Sequence, residues 1–161
     1  HFVFWIGKKN KKLQNHFWLK LNNIVEKKFL FDDVHVVEKY SNLISNIINQ
    51  SKFNSIKRFN NSLYVIDVDK KTKNIENIRG VNGTFFQKNL KKINELKNYI
   101  TKKCQTVTYY GFDKKKLKYF LLNNNLDGVD RVIPIGKSLD IDITWDGYEI
   151  IKLLSRTISL K

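Results

Sequence analysis

The chain has 161 residues, of which 42% are hydrophobic, and a formal net charge of +15 at pH 7. This composition is typical of a folded domain with its own core and excludes a disordered tail. No apolar run approaches the roughly 20 residues that a membrane-spanning helix needs, so we expect a soluble, cytoplasmic protein. The single Cys104 has no internal disulfide partner, which is typical of a reducing compartment.

The positive charge is spread along the whole chain and comes mainly from lysine. Only four arginines contribute to it: Arg58, Arg79, Arg131 and Arg156. Base readout favours the planar fork of arginine, and abundant Lys, Asn and Ile are what an A+T-biased coding sequence produces. We therefore expect no nucleic-acid partner. A basic nucleic-acid-binding module stays the alternative, and binding that falls steeply with salt would reveal it.

The first half of the chain predicts one strand and two helices that pack on its sheet. Residues 2–6 form an apolar run bounded by Gly7, which indicates a buried strand. Residues 11–28 repeat apolar side chains at steps of three and four, namely Leu13, Phe17, Leu21, Ile24 and Val25, with Trp18 beside them. The second helix begins at a cap on Asp32 or Asp33. Its predicted apolar face is Val36, Val37, Tyr40, Leu43, Ile44, Ile47 and Ile48.

The remaining elements alternate between strands and helices. In chain order we predict strands at 63–67 and 84–86, a helix at 88–100, a strand at 106–110, a helix capped by Asp113, a strand at 131–135 and a last helix at 145–155. Parallel strands need crossover connections, so this order predicts a mostly parallel sheet with flanking helices. No linker or second-domain boundary is visible, which indicates a single α/β unit.

The rare residues of the chain are concentrated between 127 and 156, which makes this stretch the candidate site. It holds three of the seven glycines and the only proline. Pro134 and Gly136 follow a predicted strand at its carboxyl end, where open α/β sheets bind ligands. Trp145, Asp146 and Gly147 open the predicted last helix, whose N-terminus favours anions. With Arg131 nearby, this indicates a site for a phosphate-bearing ligand; the alternative is two ordinary turns around a buried strand.

The usual signatures of enzymes and metal sites do not occur. There is no GxGxxG, no Walker loop, no HExxH and no CxxC, and we predict no metal. His1, His16 and His35 are isolated from one another, and Cys104 has no histidine close in sequence. We therefore interpret Cys104 as a structural residue.

Three segments resemble the acyl-CoA reductase family, which supplies fatty aldehyde in luminous bacteria. They are QTVTYYGF at 105–112, GVDRVIPIGKSLDI at 128–141 and WDGYEIIKLLSR at 145–156. The resemblance implies an aldehyde-dehydrogenase-like α/β fold, in which residues 1–161 form the C-terminal part of the catalytic domain and the N-terminal cofactor-binding part is absent. It also implies NADPH-dependent reduction of long-chain acyl-CoA to fatty aldehyde through a cysteine thioester.

The same resemblance implies where the site lies. The nucleophilic cysteine is expected just before His1, so that no catalytic residue lies in this chain and the fragment alone is inactive. The implied pocket-lining residues are His1, Arg131, Pro134, Gly136, Trp145, Asp146 and Gly147. Among them Trp145 is a wall for the acyl or pantetheine arm, Asp146 a helix cap and Arg131 an orienting charge. The implied partners are acyl-CoA, an acyl-protein synthetase and further copies of the chain; a non-catalytic acyl-transfer docking subunit is a further alternative.

Overall fold

The computed structural model describes residues 2–50, 53–69, 72 and 74–160. The chain forms two compact units, His1–Tyr99 and Ile100–Lys161. The sequence predicted a single α/β unit, because neither glycine and proline nor a change in composition marks the boundary near Tyr99. The first unit has one four-stranded sheet and the second has two two-stranded sheets, and each unit is described by itself.

The first unit is a four-stranded sheet with two long helices. Its elements are β1 (Phe2–Ile6), α1 (Lys11–Lys28), α2 (Asp33–Gln50), β2 (Phe53–Phe59), β3 (Leu63–Val68) and β4 (Thr84–Leu90), with 3-10 turns at Ile75–Asn77 and Ile93–Tyr99. The strand order is β1-β4-β3-β2. β4 pairs in parallel with both β1 and β3, whereas β2 forms an antiparallel hairpin with β3. The predicted mixed α/β architecture with a mostly parallel sheet and flanking helices is confirmed.

The two helices cover opposite faces of this sheet. Along β3, Leu63 and Val65 pack with Trp18 of α1, while Tyr64 and Ile66 pack with Leu43 of α2. Successive side chains of a strand point to opposite faces, so a strand buried on both sides is apolar throughout. This explains why LYVID was recognisable in the sequence.

Helix α1 has the predicted bounds but buries only part of the predicted apolar face. The side chain of Asn10 caps it, because its Oδ1 accepts a hydrogen bond from the backbone N–H of Leu13 at 3.0 Å. The buried residues are Gln14, Trp18, Asn22 and Val25, whereas Leu13 and Ile24, assigned to the apolar stripe, are 58% and 50% exposed. The stripe was right in part, because Val25 is buried and Phe17 and Leu21 pack against the core. The buried face is rotated towards Gln14 because β4 presents polar side chains to α1, and Gln14 Nε2 donates to Asn89 Oδ1 at 2.6 Å.

Helix α2 also buries fewer apolar residues than predicted. Its buried residues include Leu43, Lys39 and Asn46. The Nζ atom of Lys39 donates to the carbonyl oxygens of Asn61 at 2.5 Å and Ser62 at 2.9 Å. The apolar residues predicted to face the sheet include several that are largely exposed, among them Val37, Tyr40 and Ile48. Because these hydrogen bonds hold the Lys39 side of α2 against the β2–β3 turn, part of the apolar side of the helix faces solvent.

The helix predicted at 88–100 is wrong. Strand β4 continues through Leu90, which is 3% exposed, and a 3-10 segment follows at Ile93–Tyr99. The spacing of Leu90, Ile93, Leu96 and Ile100 imitates a helical stripe. Pairing of β4 with strands on both sides overrides it, since all of its central backbone groups are then satisfied.

The second unit is small. Its first three elements, a strand, a helix and a strand, follow the predicted order, and its end differs from the prediction. Its elements are β5 (Thr106–Tyr109), α3 (Lys114–Leu122), β6 (Arg131–Pro134), β7 (Thr144–Trp145), β8 (Tyr148–Glu149) and α4 (Ile150–Leu154). β5 and β6 are parallel and α3 is their crossover. Asp113 caps α3, with its Oδ1 accepting from the N–H of Lys116 at 2.9 Å. The start of the last helix was predicted wrongly, because a β7–β8 hairpin occupies residues 144–149.

Candidate functional site

The strand pair β5–β6 places two of the resembling segments side by side. Thr106 lies opposite Arg131, and Tyr109 lies opposite Pro134. Beyond β6 the chain turns, with the N–H of Lys137 donating to the carbonyl of Pro134 at 3.2 Å. Gly136 has a φ of 87° in this turn, and a Cβ atom placed on it would meet nothing within 4 Å. Pro134 and Gly136 therefore form an open turn at the carboxyl end of β6.

Arg131 joins this strand to the third resembling segment. Its guanidinium carbon lies 4.2 Å from the ring centroid of Trp145, a cation–π arrangement. One terminal nitrogen donates to the carbonyl of Ser138 at 2.9 Å, and the other donates to the carbonyl of Asp140. The guanidinium thus holds the 138–140 segment and the indole together. In this geometry Arg131 organises the loop, and its charge is partly committed to backbone oxygens.

Asp146 and Gly147 form the turn of the β7–β8 hairpin and do not open a helix. Their φ values are 48° and 82°, which a two-residue hairpin turn of the primed type requires. Helix α4 begins only at Ile150, and the residue before it makes no capping hydrogen bond with its side chain. The assignment of Asp146 as a helix cap is therefore wrong. Because no helix begins at this turn, a helix dipole does not favour anion binding there.

Gly147 packs closely against Asp130, which precedes β6. A Cβ atom on Gly147 would lie 3.3 Å from the carboxyl carbon of Asp130. The hairpin is closed on its other side by a hydrogen bond of 3.0 Å from the N–H of Ile150 to the carbonyl of Ile143. The structure therefore gathers Arg131, Trp145 and Gly147 into one cluster. Pro134 and Gly136 lie at the end of β6, and His1 lies outside the described residues.

A second concave surface lies at the start of α1, and the sequence reasoning missed it. A surface cavity of about 600 Å³ is lined by Lys8, Lys9, Asn10, Lys11 and Lys12. The strands β1 and β4 are adjacent and parallel, and the connections that follow them lie on opposite faces of the sheet. After β1, α1 covers one face; after β4, Tyr99 packs against the core on the other face. Open α/β sheets bind ligands where neighbouring connections diverge in this way. The signal was GKKNKK directly after an apolar run.

A buried polar network supports this end of the sheet. The indole N–H groups of Trp5 and Trp18 both donate to Gln87 Oε1, each at 2.8 Å. Gln87 Nε2 donates to Asp67 Oδ1 at 2.7 Å, and Ser55 Oγ donates to Asp67 Oδ2 at 2.9 Å. The network fixes α1 and all four strands relative to one another. Its polar atoms are engaged within the fold, so its role is structural.

Lys39 is the one described residue whose pKa departs strongly from its ordinary value. Burial lowers the pKa of its ammonium group from 10.5 to about 8, because desolvation disfavours the charged form. The ring centroids of Phe31 and Tyr64 lie 4.5 Å and 5.0 Å from Nζ. A lysine with a lowered pKa can act as a nucleophile, but the side chain of Lys39 is fully enclosed. Its chemistry is therefore confined to the interior of the fold.

Cys104 is half-buried, and its carbonyl accepts from the N–H of Val129 at 2.6 Å. Among the residues that the structure describes, no three His, Cys, Asp or Glu side chains are grouped so that they could hold a metal ion. Within the same residues, no helix has the length and apolarity to cross a membrane.

Comparison with family models, with curated proteins and with solved structures gives no match. None of these comparisons supports the expected resemblance to acyl-CoA reductases, which rests on the three segments alone. Two of these segments pair as strands and the third lies on Arg131 of the second, so all three meet within the second unit.

Proposed function

We propose that residues 1–161 are part of the catalytic domain of an NADPH-dependent acyl-CoA reductase that converts long-chain acyl-CoA to fatty aldehyde. The observation that carries the proposal is the contact between Arg131 and Trp145, which joins the second and third resembling segments. The first segment pairs with the second in parallel register. Segments that resemble one family in sequence and meet in space support a common site more strongly than scattered matches do.

In the proposed reaction a cysteine thiolate attacks the thioester carbonyl and coenzyme A leaves as its thiolate. NADPH, which residues outside 1–161 would hold, would supply the hydride for reduction of the acyl-enzyme thioester, and release of the aldehyde would restore the cysteine thiolate. This chain has no glycine-rich nucleotide loop, so the proposal assigns both the cofactor and the nucleophile to residues outside 1–161. Among its own residues, the indole of Trp145 and the open turn at Pro134 and Gly136 provide a wall for the acyl or pantetheine arm.

The test uses the protein encoded by the complete reading frame. With acyl-CoA and NADPH we expect oxidised cofactor and fatty aldehyde in equal amounts. With acyl-CoA alone we expect an acyl group on a cysteine outside residues 1–161, released by hydroxylamine. Cys104→Ser keeps both activities, because Cys104 supports the loop at Val129 and is not the nucleophile.

Each alternative result has a distinct meaning. An acyl group mapped to Cys104 would overturn the placement of the nucleophile. Acylation without any reduction, under conditions in which NADPH binds, would replace the reductase with the acyl-transfer docking subunit. Neither acylation nor aldehyde formation across a series of chain lengths would refute the proposal as a whole.

The second candidate is a basic nucleic-acid-binding module, and the lysine-lined cavity favours it. Four lysines, Lys8, Lys9, Lys11 and Lys12, lie at the start of α1 in a chain of net charge +15. If all four neutralise phosphates of a duplex, log K falls with log salt with a slope of about −4. Replacing Lys8 and Lys9 by Ala would then halve the slope. Binding that is undetectable at low salt, or equally strong at high salt, excludes this candidate.

A further inference from the structure

A tight turn before β4 contains an asparagine that is followed by glycine. The N–H of Thr84 donates to the carbonyl of Val81 at 2.9 Å, and the φ values of Asn82 and Gly83 between them are 47° and 83°. A turn of the I′ type needs positive φ at both central positions, which asparagine and glycine adopt most readily. A Cβ atom on Gly83 would lie 2.4 Å from the carbonyl oxygen of Ser62. The fold therefore requires glycine directly after Asn82.

An Asn-Gly pair is chemically labile because glycine has no side chain to hinder attack by its backbone nitrogen. Among the asparagines of the chain, Asn82 alone is followed by glycine. In the reaction the backbone nitrogen of Gly83 bonds to Cγ of Asn82, the bond from Cγ to Nδ2 breaks, and Nδ2 leaves as ammonia with the amide proton of Gly83. Water then opens the cyclic imide at either carbonyl and gives aspartate or isoaspartate. The reaction needs water and no other reagent.

Helix α2 holds the side chain of Asn82 in the folded protein. Asn82 Nδ2 donates to Glu38 Oε2 at 2.7 Å and to the carbonyl of His35 at 3.3 Å. Both acceptors lie near the start of α2, so the amide joins the turn to the helix. Closure of the imide ring brings Cγ onto the nitrogen of Gly83, and the two hydrogen bonds resist this movement of the side chain. The reaction is therefore slow while α2 and the turn are in contact, and faster when the contact opens.

We propose that Asn82 is a site of spontaneous deamidation and that the contact between α2 and the 81–84 turn controls its rate. The backbone of the turn supplies the labile pair, and Glu38 supplies the protection. The proposal is independent of the proposed reductase activity, because it concerns a reaction of the chain with itself and with water.

Deamidation reverses the interaction between the turn and α2. A carboxylate at position 82 cannot donate to Glu38, and the two negative charges repel each other at the distance of the former hydrogen bond. Isoaspartate also lengthens the backbone of a turn that is fixed to β3 by a hydrogen bond of 3.0 Å from the N–H of Tyr64 to the carbonyl of Gly83. Both products favour release of the start of α2. Because ammonia is lost, the change acts as a one-way switch.

The experiment follows deamidation at each asparagine by peptide mapping and mass spectrometry while the protein encoded by the complete reading frame is incubated, folded, at neutral pH. We expect aspartate and isoaspartate to accumulate at Asn82 before any other asparagine of the described residues. Glu38→Ala should increase the rate at Asn82 by about tenfold, since loss of a hydrogen bond to a charged group raises the population of the open contact by this factor. Glu38→Gln keeps an acceptor for Asn82 Nδ2 and should stay closer to the parent.

The matched control is Glu26→Ala on α1. Glu26 Oε1 accepts a hydrogen bond from Asn60 Nδ2 at 3.0 Å, and Asn60 also has a positive φ, of 50°. The control thus removes an equivalent bond between a helix and a turn but leaves the contact of α2 unchanged, so the rate at Asn82 should equal that of the parent. Circular dichroism checks that the variants are folded. Equal acceleration by Glu26→Ala and Glu38→Ala would overturn local control by α2. An Asn82 that stays intact in parent and Glu38→Ala alike, while other asparagines react, would overturn the site.

A double-mutant cycle measures the effect of the product on α2. Asn82→Asp reproduces the aspartate product and should lower the melting temperature of the first unit. In a Glu38→Gln background the same change should cost less, because a glutamine amide can donate to the new carboxylate. Equal losses in the two backgrounds would overturn the conclusion that repulsion between positions 38 and 82 releases the helix.

Discussion

Lys39 gives the sharpest test of the energetics of this fold. Its ammonium group is enclosed between α2 and the β2–β3 turn, where it donates to two carbonyl oxygens. Burial lowers its pKa from 10.5 to about 8. In the unfolded chain the group binds its proton until near pH 10.5, whereas the folded protein releases it near pH 8. Between these values the unfolded state binds more protons, so the stability of the fold rises with pH.

The size of this effect follows from the shift. A shift of about 2.5 pKa units between 10.5 and 8 corresponds to about 3 kcal/mol at 1.36 kcal/mol per unit. Most of it, about 2 kcal/mol, is gained between pH 8 and about pH 10. Below pH 8 the folded protein carries the whole cost, because Lys39 is then charged in both states.

The perturbation is Lys39→Met, which keeps the length of the side chain and removes the titrating group. At about pH 7 the variant loses two hydrogen bonds to the turn but avoids the desolvation of a charge. These contributions are each about 1.5–3 kcal/mol and oppose each other, so we expect little change. At about pH 10 the charge is absent from the parent as well, and the variant is expected to be less stable by about 2 kcal/mol.

The assay is urea unfolding followed by circular dichroism between about pH 7 and pH 10. The control is Lys20→Met at an exposed position. It makes the same chemical change as Lys39→Met and leaves all other lysines and tyrosines in place. The difference between parent and Lys39→Met should grow with pH, and the difference between parent and control should not. Parallel pH curves for all three proteins would refute the reasoning that Lys39 is buried and charged at neutral pH.

Two further substitutions test the two units separately. Gly147→Ala should destabilise the second unit by about 1–3 kcal/mol, because its φ of 82° and its contact with Asp130 both oppose a Cβ atom. The control is Gly136→Ala, since Gly136 has a similar φ of 87° but open space around it. The difference between the melting temperatures of the two variants therefore measures the contribution of the contact with Asp130. Gln87→Leu should lower the free energy of unfolding of the first unit by about 2–5 kcal/mol, since the buried indole N–H of Trp18 and the partly buried one of Trp5 lose their acceptor. Chemical denaturation checks this value, and a loss below about 1 kcal/mol would mean that water replaces the glutamine.

Local signals predicted several elements of the fold correctly. Helix α1 was found with its bounds because its apolar residues recur at regular helical spacing. β3 was found because it is apolar on both faces. β2 was missed because it is a mostly exposed edge strand in an Asn-rich stretch, which leaves neither an alternating pattern nor an apolar run. The buried polar side chains of α1 and α2 could not be predicted, since their partners lie on distant strands.

The turns between residues 127 and 156 were predicted, but the type of the second turn was not. The concentration of rare residues between 127 and 156 does mark tight turns, and Arg131 and Trp145 do meet. The Asp146-Gly147 pair was interpreted as a helix start, although Asp-Gly is also the strongest short signal for a hairpin. The apolar residues after Gly147 repeat at helical spacing, and this pattern concealed the hairpin. The lysine-lined cavity was overlooked because lysines occur throughout the sequence.

The single acceptor shared by Trp5 and Trp18 has a practical consequence for spectroscopy. The fluorescence of both indoles depends on their hydrogen bonds to the same oxygen atom of Gln87. Trp145 is the one tryptophan beyond Tyr99, and its fluorescence depends on its stacking against Arg131. In a Trp145→Phe protein, tryptophan fluorescence, excited at a wavelength that tyrosine does not absorb, therefore comes from the first unit alone. Subtracting its unfolding curve from that of the parent isolates the signal of the second unit, so one optical measurement resolves two transitions without any added dye.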